Sequence, residues 1–246
     1  MADNSYLLET RKLTKRFGGL VANSEISIHI NRGEIVGIIG ANGSGKTTLF
    51  NQLSGSLRCT SGEIYFNGKA IHGLSAHRIC SLGVGRTYQI VQPFTNLTVK
   101  ENVMVGAFLR NGSKKKAEKK ALEVLDFTGL YSIRDVPGNN LTLLQMKRME
   151  VAKALATDPA LLLLDEVTAG VNPSEHPIFI QLVKDIRDQG VTIVMIEHVM
   201  KVITSISDRM YCLNQGQLIA EGTPEQVMQS EAVIRSYLGE KWHAEN

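Results

Sequence analysis

Cysteine is scarce in this sequence. Cys59, Cys80 and Cys212 are the three present in 246 residues, and their spacing matches no metal-ligand pattern. That argues against a disulfide framework and suits a reducing compartment. Long apolar runs are missing as well: none approaches the ~20 residues needed to span a bilayer, so a membrane role has to come through a partner. The polar start Met1-Ala-Asp-Asn-Ser5 predicts no signal peptide. An excess of charge of one sign is also lacking. Lys and Arg number 27 against 24 Asp and Glu, a net +3, too little to argue for nucleic acid. What is present is ordinary for a soluble α/β unit with subdomains, 43% hydrophobic and 21% charged.

One stretch organises the chain: Gly40-Ala41-Asn42-Gly43-Ser44-Gly45-Lys46-Thr47-Thr48. It fits the phosphate-binding P-loop. Glycines let the backbone curl so that successive N–H groups converge on a polyphosphate. Lys46 can reach the β- and γ-phosphates, and Thr47 offers a hydroxyl to Mg²⁺. The helix expected from Thr47 to Leu53 aims its positive end at the anion. Glu34–Ile39, directly before it, reads as a buried strand, the context that the motif requires.

A second run, Leu161-Leu-Leu-Leu-Asp165-Glu166, reads as a central parallel strand ending in two carboxylates. Ligands bind at such carboxyl ends. One acid can hold the Mg²⁺ shell and the next can polarise a water for attack on the γ-phosphate. Val191–Ile196 is another buried strand and delivers Glu197-His198 to the same edge if the strands are parallel; a histidine there can contact a γ-phosphate. Asn172-Pro173-Ser174 starts a helix whose apolar stripe includes Ile178, Phe179, Leu182, Val183 and Ile186.

Other features are ambiguous from the residues alone. Phe17, in the turn Phe17-Gly18-Gly19, is either a core aromatic or a platform for a base. Ser24–Ile30 reads as one alternating strand with His29 on its solvent face. Gln89, after a short strand, can ligate Mg²⁺ or water but is also a common surface residue. His72 and His77 lack clustered partners for a metal. Residues of about 90–156 are mainly helical, with Asn96 or Thr98 as a cap, and the lysines of 114–120 read as a solvated helix face. Arg209–Leu213 and Gln217–Ala220 flank Asn214-Gln215-Gly216 as a hairpin, Pro224 and Glu231 start short helices, and Lys241–Asn246 is expected to fray.

Taken together, the P-loop, Gln89, Asp165-Glu166 and His198 resemble, in order and spacing, the ATP-binding subunit of an ABC transporter over essentially the whole chain. The subgroup most resembled serves branched-chain amino acid importers. Supporting runs are Arg11–Gly19, Arg86-Thr-Tyr-Gln89, Leu97–Asn102, Ala169–Pro173, Ile206–Arg209, Glu221–Pro224 and Tyr237–Glu240. The resemblance implies a P-loop NTPase fold of mixed α/β type: a RecA-like core sheet, an antiparallel β subdomain and an inserted helical subdomain. The single domain would comprise about 1–89 and 157–246 as core, with about 90–156 helical.

It also implies roles for individual residues. Phe17 stacks on adenine. Gly40 to Thr48 cradle ATP with Lys46 as a catalytic cation. Thr47, Gln89 and Asp165 serve Mg²⁺, Glu166 is the general base and His198 the switch. Two such subunits dimerise head to tail around two ATP molecules. They bind transmembrane permease subunits on the inner, cytoplasmic face of the cell membrane, contact a periplasmic or extracellular solute-binding protein only indirectly, and bind no nucleic acid.

Departures from the family pattern are visible. The family signature Leu-Ser-Gly-Gly-Gln is matched here by Leu141-Thr142-Leu143-Leu144-Gln145. Leu141, Thr142 and Gln145 are the expected nucleotide contacts across the dimer, and the leucines at 143 and 144 add bulk where glycines let N–H groups approach the partner's γ-phosphate. Val167 replaces a proline, Val199 an aspartate, and Asn172 an aspartate common in many relatives. Two alternatives to an import ATPase therefore stand: a catalytically weak nucleotide-binding subunit in a heterodimer, and a non-transport ABC ATPase.

Overall fold

Three apolar runs set the centre of the fold. Ile35–Ile39, Leu161–Asp165 and Thr192–Ile196 form β4, β8 and β9 and are buried at every position, as parallel strands covered on both faces must be. Successive side chains go to opposite faces. Ile35, Ile39, Leu162, Leu164, Ile193 and Met195 join one core; Val36, Ile38, Leu161, Leu163, Val194 and Ile196 join the other. The structure, a computed structural model, describes residues 6–238. The tail Lys241–Asn246, expected to fray, and the end of the run Tyr237–Glu240 lie outside the described residues.

Among the described residues the strands make two sheets. The six-stranded sheet runs β11-β10-β4-β9-β8-β7, with β7 at Val84–Arg86, β10 at Arg209–Asn214 and β11 at Gln217–Gly222. Its neighbours are parallel except for the β10–β11 hairpin. The second sheet is antiparallel, in the order β2-β1-β5-β6 with β3 also paired to β1. Its strands are β1 Leu8–Phe17, β2 Leu20–Ile26, β3 His29–Ile30, β5 Ser61–Phe66 and β6 Lys69–Ala70. Helix α1, Lys46–Leu53, buries Leu49, Phe50 and Leu53 in the core shared with this sheet. Helix α2, Ala76–Leu82, precedes β7.

Between β7 and β8 the chain turns helical: α3 Val99–Ala107, α4 Lys114–Phe127 and α5 Leu143–Leu155. Thr98, not Asn96, caps α3, in a reciprocal box with Glu101 worth about 1 kcal/mol. Ser113 caps α4, whose lysines at 114–116 are exposed. Helices α6 (His176–Asp188), α7 (Met200–Ile206), α8 (Pro224–Gln229) and α9 (Glu231–Leu238) complete the described chain. The mixed α/β class expected from sequence is the class observed.

Details differ from expectation, for physical reasons. Ser24–Ile30 is not one strand: β2 bulges at Glu25, which adopts φ 51°, and ends at Ile26, where the Thr10 hydroxyl donates to the Ile26 carbonyl and accepts the Ile28 N–H in place of ladder partners, leaving His29–Ile30 as a separate short pair with β1. His29 is half-buried, its ring 4.4 Å from that of Tyr6 and its Nε2 3.1 Å from an Arg209 nitrogen. Ile178 is exposed, while Phe179, Leu182, Val183 and Ile186 are buried; the stripe is narrower than its spacing implied.

Candidate functional site

The loop after β4 takes a shape that side chains would obstruct. Gly40 has φ 150°, and a Cβ built on it would sit 2.2 Å from the Leu213 carbonyl; on Gly45, at φ 104°, it would sit 2.5 Å from the Ala22 carbonyl. Neighbouring segments hold the loop. Gly216 N–H donates to the Ser44 carbonyl at 3.0 Å, and the amide of buried Asn23 donates to the Gly45 carbonyl at 3.2 Å. Lys46 Nζ donates to the carbonyls of Gly40 and Ala41 at 2.7 and 3.0 Å. Burial lowers the Lys46 pKa, against the opposing pull of Glu166 and Asp165.

The loop floors a cavity of about 920 Å³ lined by Phe17, Val21, residues 42–48, Gln89, Glu166, His198 and Gln215. Phe17 is 48% exposed, so of its two readings the core is excluded; Lys15 Nζ lies 4.9 Å from its ring centre. At the cavity's other side Glu166 accepts from Gln89 Nε2 at 2.7 Å through one oxygen and meets His198 Nε2 at 2.8 Å through the other. Glu166 sits at φ 49°, a left-handed conformation costing about 1–2 kcal/mol in a side-chain-bearing residue. Its N–H donates to the Ile196 carbonyl. The parallel pairing of β8 with β9 puts Asp165 beside Ile196, which is why residues 166 and 198 meet.

Two buried cations complete the edge, and neither was singled out from sequence. Lys147 of α5 donates to the main-chain carbonyls of Gln89 at 3.1 Å and Glu166 at 2.9 Å. Its pKa is lowered by burial and partly restored by Glu197 and Glu166. Arg86 donates to Asp165 Oδ2 at 3.0 Å, to Asn51 Oδ1 at 2.6 Å and to Ser54 Oγ at 2.9 Å. Burial raises the Asp165 pKa and Arg86 opposes that shift. Arg86 lay within a run already resembling the family; Lys147 had no local signal, since a lysine in a helix is ordinarily solvated. Glu197, 2% exposed, accepts from Thr168 N–H at 2.9 Å and from Thr168 Oγ1 at 2.7 Å. Burial raises its pKa too.

Asp165, Thr47 and Gln89 also line a second cavity, of about 470 Å³, beside Tyr88, Ile90 and Lys153. Leu141, Thr142 and Gln145 line neither cavity. Thr142 and Gln145 form the capping box of α5, Leu141 is buried and Leu143 is 40% exposed. No group of three or more metal-ligating His, Cys, Asp or Glu exists among the described residues.

A Gly-rich loop on a helix N-terminus, facing an acid held by an amide and an imidazole on a parallel sheet, defines a P-loop nucleotide hydrolase. The chain belongs to the ABC transporter family: residues 23–169 match that family's profile, and residues 217–243 match one described as "Branched-chain amino acid ATP-binding cassette transporter". Among curated proteins it is 39% identical over 250 residues to the high-affinity branched-chain amino acid transport ATP-binding protein LivG of Escherichia coli K12, covering 95% of this chain and 98% of that one. Identity to BraF of Pseudomonas aeruginosa, described in the same terms, is 37% over the same shares of each chain. A crystal structure of an ABC transporter's ATP-binding cassette in its ADP conformation matches with TM-score 0.87 and 32% identity, covering 96% of this chain and 99% of that one. A dimeric cassette bound to ADP and Pi matches at TM-score 0.80 and 26% identity, covering 88% of this chain and 98% of that one. The chain is thus an ATP-binding, ATP-hydrolysing subunit coupled to transport. No described helix is long and apolar enough to cross a membrane.

Proposed function

We propose that the chain energises an importer of branched-chain or closely related amino acids; its relatives are named as branched-chain amino acid transport ATP-binding proteins. ATP lies on the amides of residues 40–48 with its base against Phe17. The observation that carries the reading is the Glu166 carboxylate, held between Gln89 and His198 across the cavity from Lys46.

The residues fit Mg²⁺. Asp165 Oδ1 is buried and has no hydrogen-bond partner among the described residues, so one carboxylate oxygen is left for a hydrated cation while Arg86 takes the other. Thr47 and Gln89 line the same cavity as Asp165 and would share in holding the ion. When bound, Mg²⁺ neutralises phosphate charge. In the present arrangement both Glu166 oxygens are engaged. His198 turning towards a γ-phosphate frees one oxygen to take a proton from water. Lys147, bonded to the carbonyls of both Gln89 and Glu166, transmits any movement of α5 to that acid. Residues of about 90–156 then act as the mobile helical subdomain. Exposed Tyr88 and Ile90, beside the 470 Å³ cavity, receive a permease subunit. On this reading the chain works on the cytoplasmic face of the membrane, in indirect contact with a solute-binding protein.

Glu166→Gln tests the assignment: turnover should fall more than about 100-fold while ATP is still bound and trapped. Unchanged turnover would remove Glu166 as the base.

A second reading rests on Leu143. Its Cδ2 lies 3.2 Å from where a Cβ on Gly170 would be, so the leucine fills space beside the loop that follows Glu166. The ATP site completed by this segment in a dimer is then weak, and the chain's own P-loop needs a different subunit's signature. Turnover measured alone and after mixing with a paralogous cassette decides it: vigorous hydrolysis by the homodimer removes this reading.

A further inference from the structure

The C-terminal segment that matches the branched-chain profile, residues 217–243, reaches back to the first residue of the phosphate loop. Helix α9 is anchored by Val233, 2% exposed, in the core that also holds Ile39 and Cys212. One turn further along, the Tyr237 hydroxyl oxygen accepts the Gly40 N–H at 2.8 Å. The carbonyl of that same glycine accepts from Lys46 at 2.7 Å. Gly40 has no side chain, and the Leu213 carbonyl leaves no room for one, so its placement depends on main-chain contacts such as these.

The loop is gripped at both ends from outside. Asn23 and Gly216 hold its carbonyls near Lys46, and Tyr237 holds its first N–H. Lys46 has three N–H donors and two are used on the carbonyls of Gly40 and Ala41, which leaves one for a phosphate, and the Tyr237 bond tethers the Gly40 peptide from its other side.

We propose that Tyr237 is a positioning residue for nucleotide: its hydroxyl keeps the Gly40 peptide in the phosphate-binding shape, so the order of the C-terminal helix sets ATP affinity. The proposal rests on the reading that residues 40–48 bind ATP.

The test uses the full chain and Tyr237→Phe, titrated with a fluorescent ADP analogue and Mg²⁺ well below the melting temperature. Losing one hydrogen bond of about 1 kcal/mol predicts roughly fivefold weaker binding. In the active complex KM for ATP should rise by a similar factor with kcat changed less than about twofold, and the stabilisation that ADP adds to the melting temperature should shrink. Wild-type affinity in Tyr237→Phe, even with a lower melting temperature, overturns the proposal, because a packing role alone predicts that pattern. If the wild-type chain itself binds no nucleotide, it is the reading of the loop that fails. Should Tyr237→Phe not fold, hydrogen exchange in the wild type and Val233→Ala takes its place. Loosening α9 should speed exchange across residues 38–46, and unchanged exchange there overturns the tether.

Discussion

At the carboxyl edge of the six-stranded sheet, Glu166 has both carboxylate oxygens engaged by side chains from two other segments, and its carbonyl is held by Lys147 from a third. At the start of α5, Thr142 and Gln145 engage each other's main chain, and Leu143 beside them is 40% exposed. Both stretches matched the family pattern, yet only the first is wired into a cavity within this chain. Residues whose chemistry is used in their own chain must be cross-linked to remote segments, because a charged group in a low-dielectric edge is costly without partners. Thr142 and Gln145 are held only by the reciprocal cap of α5, which suffices if, as proposed, they are presented to another chain.

Four measurements break or sharpen that contrast. The largest effect belongs to Arg86, whose pairing with Asp165 is almost wholly buried. Arg86→Met strands that carboxylate and should cost about 3 kcal/mol in urea unfolding; a loss near zero would mean that the edge is not held by its ion pairs. Next, His198→Ala should lower turnover about 100-fold with little change in stability, since the imidazole is 45% exposed. A parallel collapse of stability would make it a structural residue.

Replacing Leu143 and Leu144 by glycine addresses the other region. If the leucines impede a neighbour's nucleotide, hydrolysis should rise about tenfold. Thermal stability should meanwhile fall, by about 1 kcal/mol per glycine from backbone entropy and further at 144, where Leu144 packs against the main core. No gain in hydrolysis means that the leucines are tolerated.

The smallest effect is electrostatic. Burial holds the Glu197 pKa above its ordinary 4.5, so the native state binds the proton more tightly than the unfolded chain. The stability that this contributes is full below pH 4.5 and is lost as pH rises through the native value. Glu197→Gln cannot titrate and keeps a neutral partner for Thr168. Its melting temperature should therefore gain on the wild type as pH rises from 4 to 7, and a constant difference would show that Glu197 is not penalised by burial.

Much of the site could be read without coordinates, because its chemistry lies in contiguous runs. The P-loop needs glycines at fixed offsets before Lys46, and the acids follow an unbroken leucine strand. Other parts could not be read. Phe17 had two readings that only exposure separates. Lys147 looks like any helical lysine until α5 is laid against Gln89 and Glu166, and Tyr237 lies 197 residues from Gly40. His29, expected on a solvent face, is half-buried by Tyr6 and Arg209, because alternation reports the face of a strand and not what packs against that face.

By itself the sequence determined that a Gly-rich loop precedes a helix, that two carboxylates end a buried strand and that the fold is α/β. These are local facts, written in backbone freedom and side-chain periodicity. The tertiary structure alone decided which remote groups hold the acid at 166, that a buried lysine bridges it to Gln89, and that the C-terminal helix grips the loop. Such contacts arise from strand order and helix docking, which bring together residues that no spacing along the chain relates.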